Sequence, residues 1–204
     1  MAAKLLKNIK TVVFMAAITV VFIASLSYAH LKTRDRISMN AENFKKASIL
    51  YAAGISYEKT AIRSIFAANI AEKHTMDGKK TYYEVLDAAK ALKSYVFVTE
   101  GPGLWGGIIM AIGIEKDMKT LTGIAFIAQN ETPGLGARIE EEWFKKQFKG
   151  KIPPLVRVNE GEPTTNNQFD AITGATATSK AVQDIINSFV TQEVPKYVSE
   201  GDHQ

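Results

Sequence analysis

The chain has 204 residues, a formal net charge of +4 and no cysteine. This length accommodates one domain and a membrane anchor, and the lack of cysteine excludes disulfides, iron–sulfur ligation and cysteine-bound zinc within the chain. Without the six Lys and Arg residues and the one Asp that flank a single apolar segment, 19 basic and 20 acidic residues remain, a net charge of −1. We therefore expect no nucleic-acid partner, which would require a basic folded surface.

The apolar segment covers residues 11–31 and contains no Asp, Glu, Lys or Arg. A helix of this length spans about 30 Å of hydrocarbon. The sequence therefore predicts a single-pass anchor at residues 1–36, whose basic flanks contact membrane lipid, and an extracytoplasmic domain at residues 37–204. The free amino terminus slightly favours this orientation. The alternative is a signal peptide cleaved after residues 27–29, although the apolar stretch is longer than a usual signal sequence.

Helical spacing of apolar residues after the anchor predicts helices over residues 41–53 and 60–72. A turn is predicted at residues 76–80, and a short helix is expected over residues 83–92. Neither of the two longer helices carries a reactive group of side chains, so their expected role is packing.

Turn-rich separators then divide a run of strand-like segments, which favours an antiparallel meander. These predicted strands cover residues 94–99, 107–114 and 121–128. A helix over residues 137–148 and an edge strand over residues 155–158 are expected next. With a final amphipathic helix that runs toward Pro195, the domain is predicted to be α+β, with a mainly antiparallel sheet and flanking helices.

The final helix is predicted from apolar residues at i, i+3, i+4, i+7 and i+8, namely Val182, Ile185, Ile186, Phe189 and Val190. Thr178 or Ser179 can act as its N-cap. The first turn of a helix exposes N–H groups and the positive end of the helix dipole, so a phosphate on Thr176 would lie near an anion site. Lys180 adds a counter-charge. The residues alone leave an ordinary capped loop equally open.

The segment before this helix, residues 170–176, reads Asp-Ala-Ile-Thr-Gly-Ala-Thr. It resembles the flavin-attachment motif of the FMN-binding domain family, in which Asp, two variable residues, Ser or Thr, Gly, Ala and Thr follow in order. The resemblance implies that Thr176 carries FMN through a phosphoester bond, which a dedicated flavin transferase installs from FAD. The context residues that match the motif are Asp170, Thr173, Gly174 and Ala175.

A second segment, residues 131–136, reads Glu-Thr-Pro-Gly-Leu-Gly and resembles a loop of the same family. In this reading Leu135 contacts the flavin ring, while Thr132 and backbone amides bond the polar flavin edges. The alternative is a rigid Pro-Gly turn in which the glutamate caps the chain or faces solvent. The residues assigned to the flavin site here are Glu131, Thr132, Gly134, Leu135 and Gly136.

A third segment, residues 101–106, reads Gly-Pro-Gly-Leu-Trp-Gly and offers an apolar slot for the ring. Its glycines permit close approach, and Leu104 or Trp105 could pack on the isoalloxazine. It resembles a Gly-Leu-Trp element of the sodium-pumping quinone reductase branch of the family. The alternative is that Trp105 is a core aromatic residue at the start of a strand.

Other chemistries find little support in the sequence. None of the three histidines has the i, i+4 partner of a zinc helix, and no nucleophile elbow, P-loop or dinucleotide fingerprint is present. We therefore expect no catalytic residues and no metal ligands in this chain.

The family resemblance implies a function for the whole chain. It predicts a covalent-FMN electron carrier in an ion-translocating oxidoreductase complex of the Rnf or Nqr type, with other membrane subunits as partners. The location would be a bacterial-type inner membrane, with the domain on the periplasmic side. The alternatives are a non-redox, membrane-tethered assembly or binding subunit, and an FMN carrier of another extracytoplasmic electron-transfer system.

Overall fold

The structure is a computed structural model that describes residues 2–75, 81–159, 161 and 163–201. The chain divides into two compact units, Met1–Glu42 and Asn43–Gln204. Helix α1, Ala2–Ala52, contributes to both units. The turn predicted at residues 76–80 lies outside the described residues.

The first unit contains the apolar part of α1, in which the predicted span of residues 11–31 lies entirely within the helix. Its large apolar side chains are exposed around the whole circumference, a pattern typical of a helix that lipid surrounds. Thr19 and Ser25 donate their hydroxyl hydrogens to the carbonyls of Met15 and Val21 at 2.8 Å, so these polar groups are satisfied within the helix. By length and composition, α1 can cross a membrane.

The second unit is organised around one antiparallel sheet whose five strands follow the chain order, a simple meander. The strands are β1 Ile70–His74, β2 Thr81–Leu86, β3 Leu92–Pro102, β4 Gly107–Glu115 and β5 Leu121–Ala128. The three predicted strands correspond to β3, β4 and β5, and β5 has the predicted bounds. The predicted α+β class and antiparallel meander are therefore confirmed.

Two helix predictions near the start of this unit were wrong. Residues 83–92 contain most of β2 and the turn to β3, and the helix predicted over residues 60–72 is limited to α2, Ile62–Asn69, because β1 follows directly. Strand β1 pairs with β2 from Ile70 opposite Val85 to His74 opposite Thr81. The alternate burial of Tyr83 and Val85 is the period-two pattern of a strand, which the Ala-rich neighbourhood obscured.

One face of the sheet is covered by the end of α1 and by α2. Ile49 and Leu50 of α1 pack with buried residues of the sheet, namely Val85, Val96 and Ala111. Thr122 Oγ1 donates to the Ala52 carbonyl at 2.6 Å, where the helix ends. A Cβ atom on Gly113 would overlap that same carbonyl oxygen, so only glycine allows this close approach.

The opposite face carries the larger core and the helices that follow the sheet. These are α3, Glu142–Lys146, and α4, Thr176–Ser188, together with a 3₁₀ turn, Gly136–Glu140. The core includes Phe97, Ile112, Phe144, Phe148, Phe169, Val182 and Ile186. A single helix over residues 137–148 was a wrong prediction, because Glu141 has extended backbone angles that separate the 3₁₀ turn from α3.

The remaining elements complete the domain. Strand β6, Val156–Val158, lies within the predicted edge strand and pairs in parallel with β7, Gln168–Asp170, as a second small sheet. Helix α4 continues through a π-helical turn, Phe189–Glu193, into α5, Val194–Gly201. The final helix therefore passes Pro195, which lies at the second residue of α5.

Candidate functional site

The centre of the candidate site is the carboxylate of Glu131, which is only 4% exposed. Its Oε1 accepts hydrogen bonds from the amides of Leu104 at 2.7 Å and Trp105 at 3.2 Å. Its Oε2 accepts a hydrogen bond from Thr178 Oγ1 at 2.5 Å. One side chain of the 131–136 segment therefore bonds the 101–106 segment and the helix turn that directly follows the 170–176 segment, and this glutamate does not face solvent.

Glycines allow the backbone to approach this carboxylate from two sides. A Cβ atom on Gly103 would lie 2.5 Å from Glu131 Oε1, and one on Gly136 would lie 2.7 Å from Oε2 and 2.6 Å from Thr178 Oγ1. Gly103 also closes the β3–β4 turn, since its amide donates to the Gly106 carbonyl at 2.7 Å. Any larger residue at Gly103 or Gly136 would displace the carboxylate or the hydroxyl that bonds to it.

Helix α4 begins at Thr176, and Ala175 occupies the N-cap position without a side-chain cap. The predicted N-cap role of Thr178 or Ser179 was therefore wrong. Both side chains are instead buried in the first turn, at 1% and 0% exposure. The Thr178 hydroxyl is committed to Glu131, and Ser179 Oγ accepts from the Ile172 amide at 3.0 Å and donates to the Ala175 carbonyl at 3.1 Å.

Thr176 is exposed at the first position of α4. The first helical hydrogen bond joins the Ser179 amide to the Ala175 carbonyl at 3.0 Å. The amides of residues 176–178 precede that bond, and helix geometry therefore provides them with no helical acceptor. Gly174 turns the chain into the helix with a φ of +81°, which favours glycine. The Thr176 hydroxyl thus lies at a helix start, where the dipole favours an anion.

The loop of residues 131–136 lies beside this helix start. A Cβ atom on Gly174 would be 3.3 Å from a methyl group of Leu135. Thr132 and Gly134 are exposed, and the Thr132 carbonyl accepts hydrogen bonds from the Leu135 and Ala137 amides at 3.1 Å. Gly134 has a φ of +75°, so the loop is also a rigid turn. The 131–136 loop and the 170–176 attachment segment therefore lie next to each other.

The three apolar side chains predicted to contact a flavin ring remain exposed on this part of the surface. Leu104 is 56% exposed, Trp105 is 70% exposed and Leu135 is 46% exposed. The alternative interpretation of Trp105 as a core aromatic residue was therefore wrong. Because its amide is bonded to Glu131, the turn is held in place while the indole is left at the surface. Exposed apolar groups of this kind are suited to a flat aromatic ligand.

Two charged residues of the predicted site have other partners or surroundings. Lys180 lies one turn beyond Thr176, and its ammonium group forms an ion pair with Asp184 at 2.5 Å. The positive charge of Lys180 is therefore partly neutralised by a carboxylate of the same helix. Asp170 ends β7, and its buried Oδ1 has no hydrogen-bond partner among the residues that the structure describes. Burial lowers the pKa of Lys151, and the negative charge of Asp170 opposes that shift.

The sequence did not predict the cleft of about 990 Å³ that adjoins the attachment segment. One wall is the end of β3, and the other is the face of α4 that carries Ala177, Ala181 and Ile185. A Cβ atom on Gly101 would overlap the Ile185 side chain, so a glycine is required where these walls meet. The i, i+4, i+8 spacing of the three helix residues is the only signal that could have indicated this face.

The fold and the site together are typical of a protein that carries a ligand. The domain follows an apolar helix in the chain, and it presents an exposed threonine next to exposed apolar side chains. Residues 103–191 match the family model of the FMN-binding domain. The match includes the 131–136 and 170–176 segments and the Gly-Leu-Trp element. The match supports FMN as the ligand of this domain.

Curated relatives come from two kinds of complex. The chain is 26% identical over 222 aligned positions to the C subunit of the Na⁺-translocating NADH-quinone reductase of Vibrio anguillarum, covering 85% of this chain and 87% of that one. It is 35% identical over 125 positions to the G subunit of the proton-translocating ferredoxin:NAD⁺ oxidoreductase complex of Clostridium ljungdahlii, covering 61% of this chain and 66% of that one.

Solved structures share the fold. The NqrC structure of Shewanella oneidensis superposes with a TM-score of 0.63 at 20% identity and covers 83% of this chain and 99% of that one. The C subunit of the Na⁺-translocating NADH-quinone reductase of Parabacteroides distasonis gives a TM-score of 0.65 at 24% identity, with coverages of 84% and 98%.

Proposed function

We propose that this chain is a membrane-anchored flavoprotein subunit that carries FMN covalently on Thr176. One observation carries the proposal: Thr176 is exposed at the start of α4, whereas Thr178 and Ser179 are buried and hydrogen-bonded. A transferase can reach an exposed hydroxyl without unfolding the helix. Of the rival hydroxyls in this segment, Thr173 is also exposed and must be tested.

The attachment is a phosphoryl transfer from FAD that a separate flavin transferase catalyses. A new bond forms between Thr176 Oγ1 and the phosphorus of the FMN half, the phosphoanhydride bond of FAD breaks, and AMP leaves. A base of the transferase accepts the threonine proton. The attached phosphate would lie at the amides of the first turn of α4, which compensate its charge. Lys180 contributes at most part of its charge, because Asp184 shares it.

The flavin ring is proposed to pack on the exposed apolar side chains around the helix start. Leu104, Trp105 and Leu135 supply the apolar surface, and Thr132 with the amides of Gly134 and Gly136 would bond the polar edge of the ring. The flavin supplies the redox chemistry, while the protein holds and orients it. Asp170, Thr173, Gly174 and Ala175 shape the loop on which it is mounted.

We further propose that the subunit works as an electron carrier inside an ion-translocating oxidoreductase complex. The names of the relatives support this, since they are subunits of a Na⁺-translocating quinone reductase and of a proton-translocating ferredoxin oxidoreductase. The polytopic partner subunits would supply the remaining redox sites and the ion pathway. Residues 1–36 would anchor the chain in the inner membrane, and the domain at residues 37–204 would lie on the periplasmic side.

The attachment is tested on denatured protein, where only covalent flavin remains with the chain. Full-length protein is produced with and without a flavin transferase and examined for flavin fluorescence in a denaturing gel. We expect fluorescence that requires the transferase, that Thr176→Ala abolishes and that the matched variant Thr173→Ser, which keeps the motif, retains. Wild-type protein without fluorescence would instead favour the non-redox assembly or binding subunit.

The membership in a complex is tested by purification from the native membrane. A tagged chain in mild detergent should copurify with polytopic subunits and with a flavin- or iron–sulfur-containing oxidoreductase. Copurification with a different set of redox proteins would place the same flavin carrier in another extracytoplasmic electron-transfer system.

A further inference from the structure

We propose that the buried Glu131 carboxylate is a positioning residue, which holds the β3–β4 turn against the helix start that carries Thr176 and so sets how the flavin ring packs. The inference rests on the proposed function, because it concerns the same flavin site. It assigns to this glutamate a role that differs from contact with the ligand.

The carboxylate joins two segments that are far apart in the chain. Through Oε1 it binds the amides of Leu104 and Trp105, 27 and 26 positions away, and through Oε2 it binds Thr178 Oγ1, 47 positions away. Hydrogen bonds to an ionised acceptor are shorter and stronger than neutral ones. The glutamate therefore connects the turn that presents the indole with the first turn of the helix that presents the attachment hydroxyl.

The surroundings of Glu131 prevent it from acting as a ligand contact. Its side chain is enclosed by the backbone of Gly103 and Gly136, where no Cβ atom would fit. Its own amide donates to Gln129 Oε1 at 2.6 Å, which fixes the backbone from which the side chain projects. A group that is enclosed in this way affects a ligand at the surface only through the segments that it holds.

The position of the turn matters because of the side chains that it carries. Leu104 and Trp105 are exposed, so the backbone bonds to Glu131 determine where their side chains stand relative to the start of α4. An indole close to a flavin quenches its fluorescence. The emission of the attached flavin is therefore a direct measure of whether the turn stays in place.

The test uses full-length protein, produced with a flavin transferase and solubilised in detergent. Glu131→Gln keeps the side-chain volume but removes the charge and one acceptor oxygen. Glu115→Gln, at the exposed end of β4, is the matched control. Thr178→Val removes only the helix-side bond, and Thr178→Ser keeps the hydroxyl. For each variant, flavin emission of the native protein is divided by the emission of the same sample after unfolding, which corrects for the amount of flavin attached.

We expect a low ratio for the wild type, for the control variant and for Thr178→Ser. Loss of a hydrogen bond to a charged group shifts an equilibrium by about tenfold, so the ratio should rise several-fold in Glu131→Gln and in Thr178→Val. It should approach the ratio of Trp105→Phe. If Glu131→Gln does not fold, Thr178→Val alone carries the test, because it is nearly isosteric.

A purely structural role of the glutamate would lower the melting temperature and leave the ratio of the still-folded protein unchanged. That result, in variants that retain their circular dichroism spectrum, would overturn the inference. Failure of the proposed function is distinguishable, because in that case the wild type itself carries no covalent flavin on a denaturing gel.

Discussion

Substitution of Gly136 by alanine tests whether the glutamate site is as closely packed as the distances indicate. The added methyl group would stand 2.6 Å from Thr178 Oγ1 and 2.7 Å from Glu131 Oε2, closer than Cβ atoms approach in proteins. The φ of Gly136 is not in the left-handed region, so the backbone itself allows alanine. Any loss of stability therefore reports the steric clash and the hydrogen bond that it disturbs.

The expected magnitude follows from these two contributions. Overpacking of a closely packed site costs about 1–3 kcal/mol, and weakening of a hydrogen bond to a charged group costs about 1.5–3 kcal/mol. The two overlap, because the same displacement of Glu131 relieves the clash and breaks the bond, so we expect about 2–4 kcal/mol in total. For a domain of this size, the fall in Tm should be on the order of 10 °C.

The assay is thermal unfolding of the detergent-solubilised chain, followed by circular dichroism. Gly134→Ala is the matched control, since Gly134 lies in the same loop with nothing within 4 Å of a Cβ atom but has a φ of +75°. It should cost about 1 kcal/mol from backbone strain alone. In a Thr178→Ala background, the Gly136→Ala penalty should shrink, because one of the clashing atoms is gone. A penalty for Gly136→Ala no larger than that of Gly134→Ala would refute the reasoning.

Four further predictions concern other parts of the chain. Gly113→Ala should lower the Tm by more than Gly134→Ala does, because its methyl group would overlap the backbone carbonyl at the end of α1; an unchanged melting temperature would contradict this. Lys180→Ala should leave flavin attachment intact and change stability by at most about 0.5 kcal/mol, since its ion pair with Asp184 is exposed; loss of the flavin on a gel would restore its role as phosphate counter-charge. Burial raises the pKa of Asp117, but hydrogen bonds from Thr120 and Lys119 outweigh it and hold the pKa below its ordinary value. Its stabilising contribution should therefore be present at neutral pH and be lost as the pH falls through the lowered pKa, which NMR titration and unfolding of Asp117→Asn at several pH values measure; an ordinary carboxyl pKa would contradict it. Finally, a single cysteine at the exposed Lys116 of the otherwise cysteine-free chain should react with a membrane-impermeant maleimide in intact cells, and reaction only after lysis would reverse the proposed orientation.

The sequence predicted secondary structure correctly where a segment matched only one local pattern. The uncharged run of residues 11–31 predicted an apolar helix of spanning length, and strands β3 to β5 were separated by clear turn residues. In contrast, parts of β1 and β2 were predicted as helix. The apolar residues of these Ala-rich and mixed segments fit both the 3.6-residue period of a helix and the two-residue period of a strand. Their actual state depends on pairing between Ile70 and Val85, a contact that local propensity does not contain.

The same division holds for the site. Three short motifs, through their resemblance to a known family, predicted which segments bear on the flavin and which hydroxyl is the candidate for attachment. Only the tertiary structure decided that Glu131 is buried and joins the β3–β4 turn to the start of α4, that Thr178 and Ser179 are committed to internal hydrogen bonds, and that Trp105 remains at the surface. The physical reason is that a residue type and its neighbours set local geometry, whereas burial and hydrogen-bond partners depend on groups that are distant in the chain and adjacent only after folding.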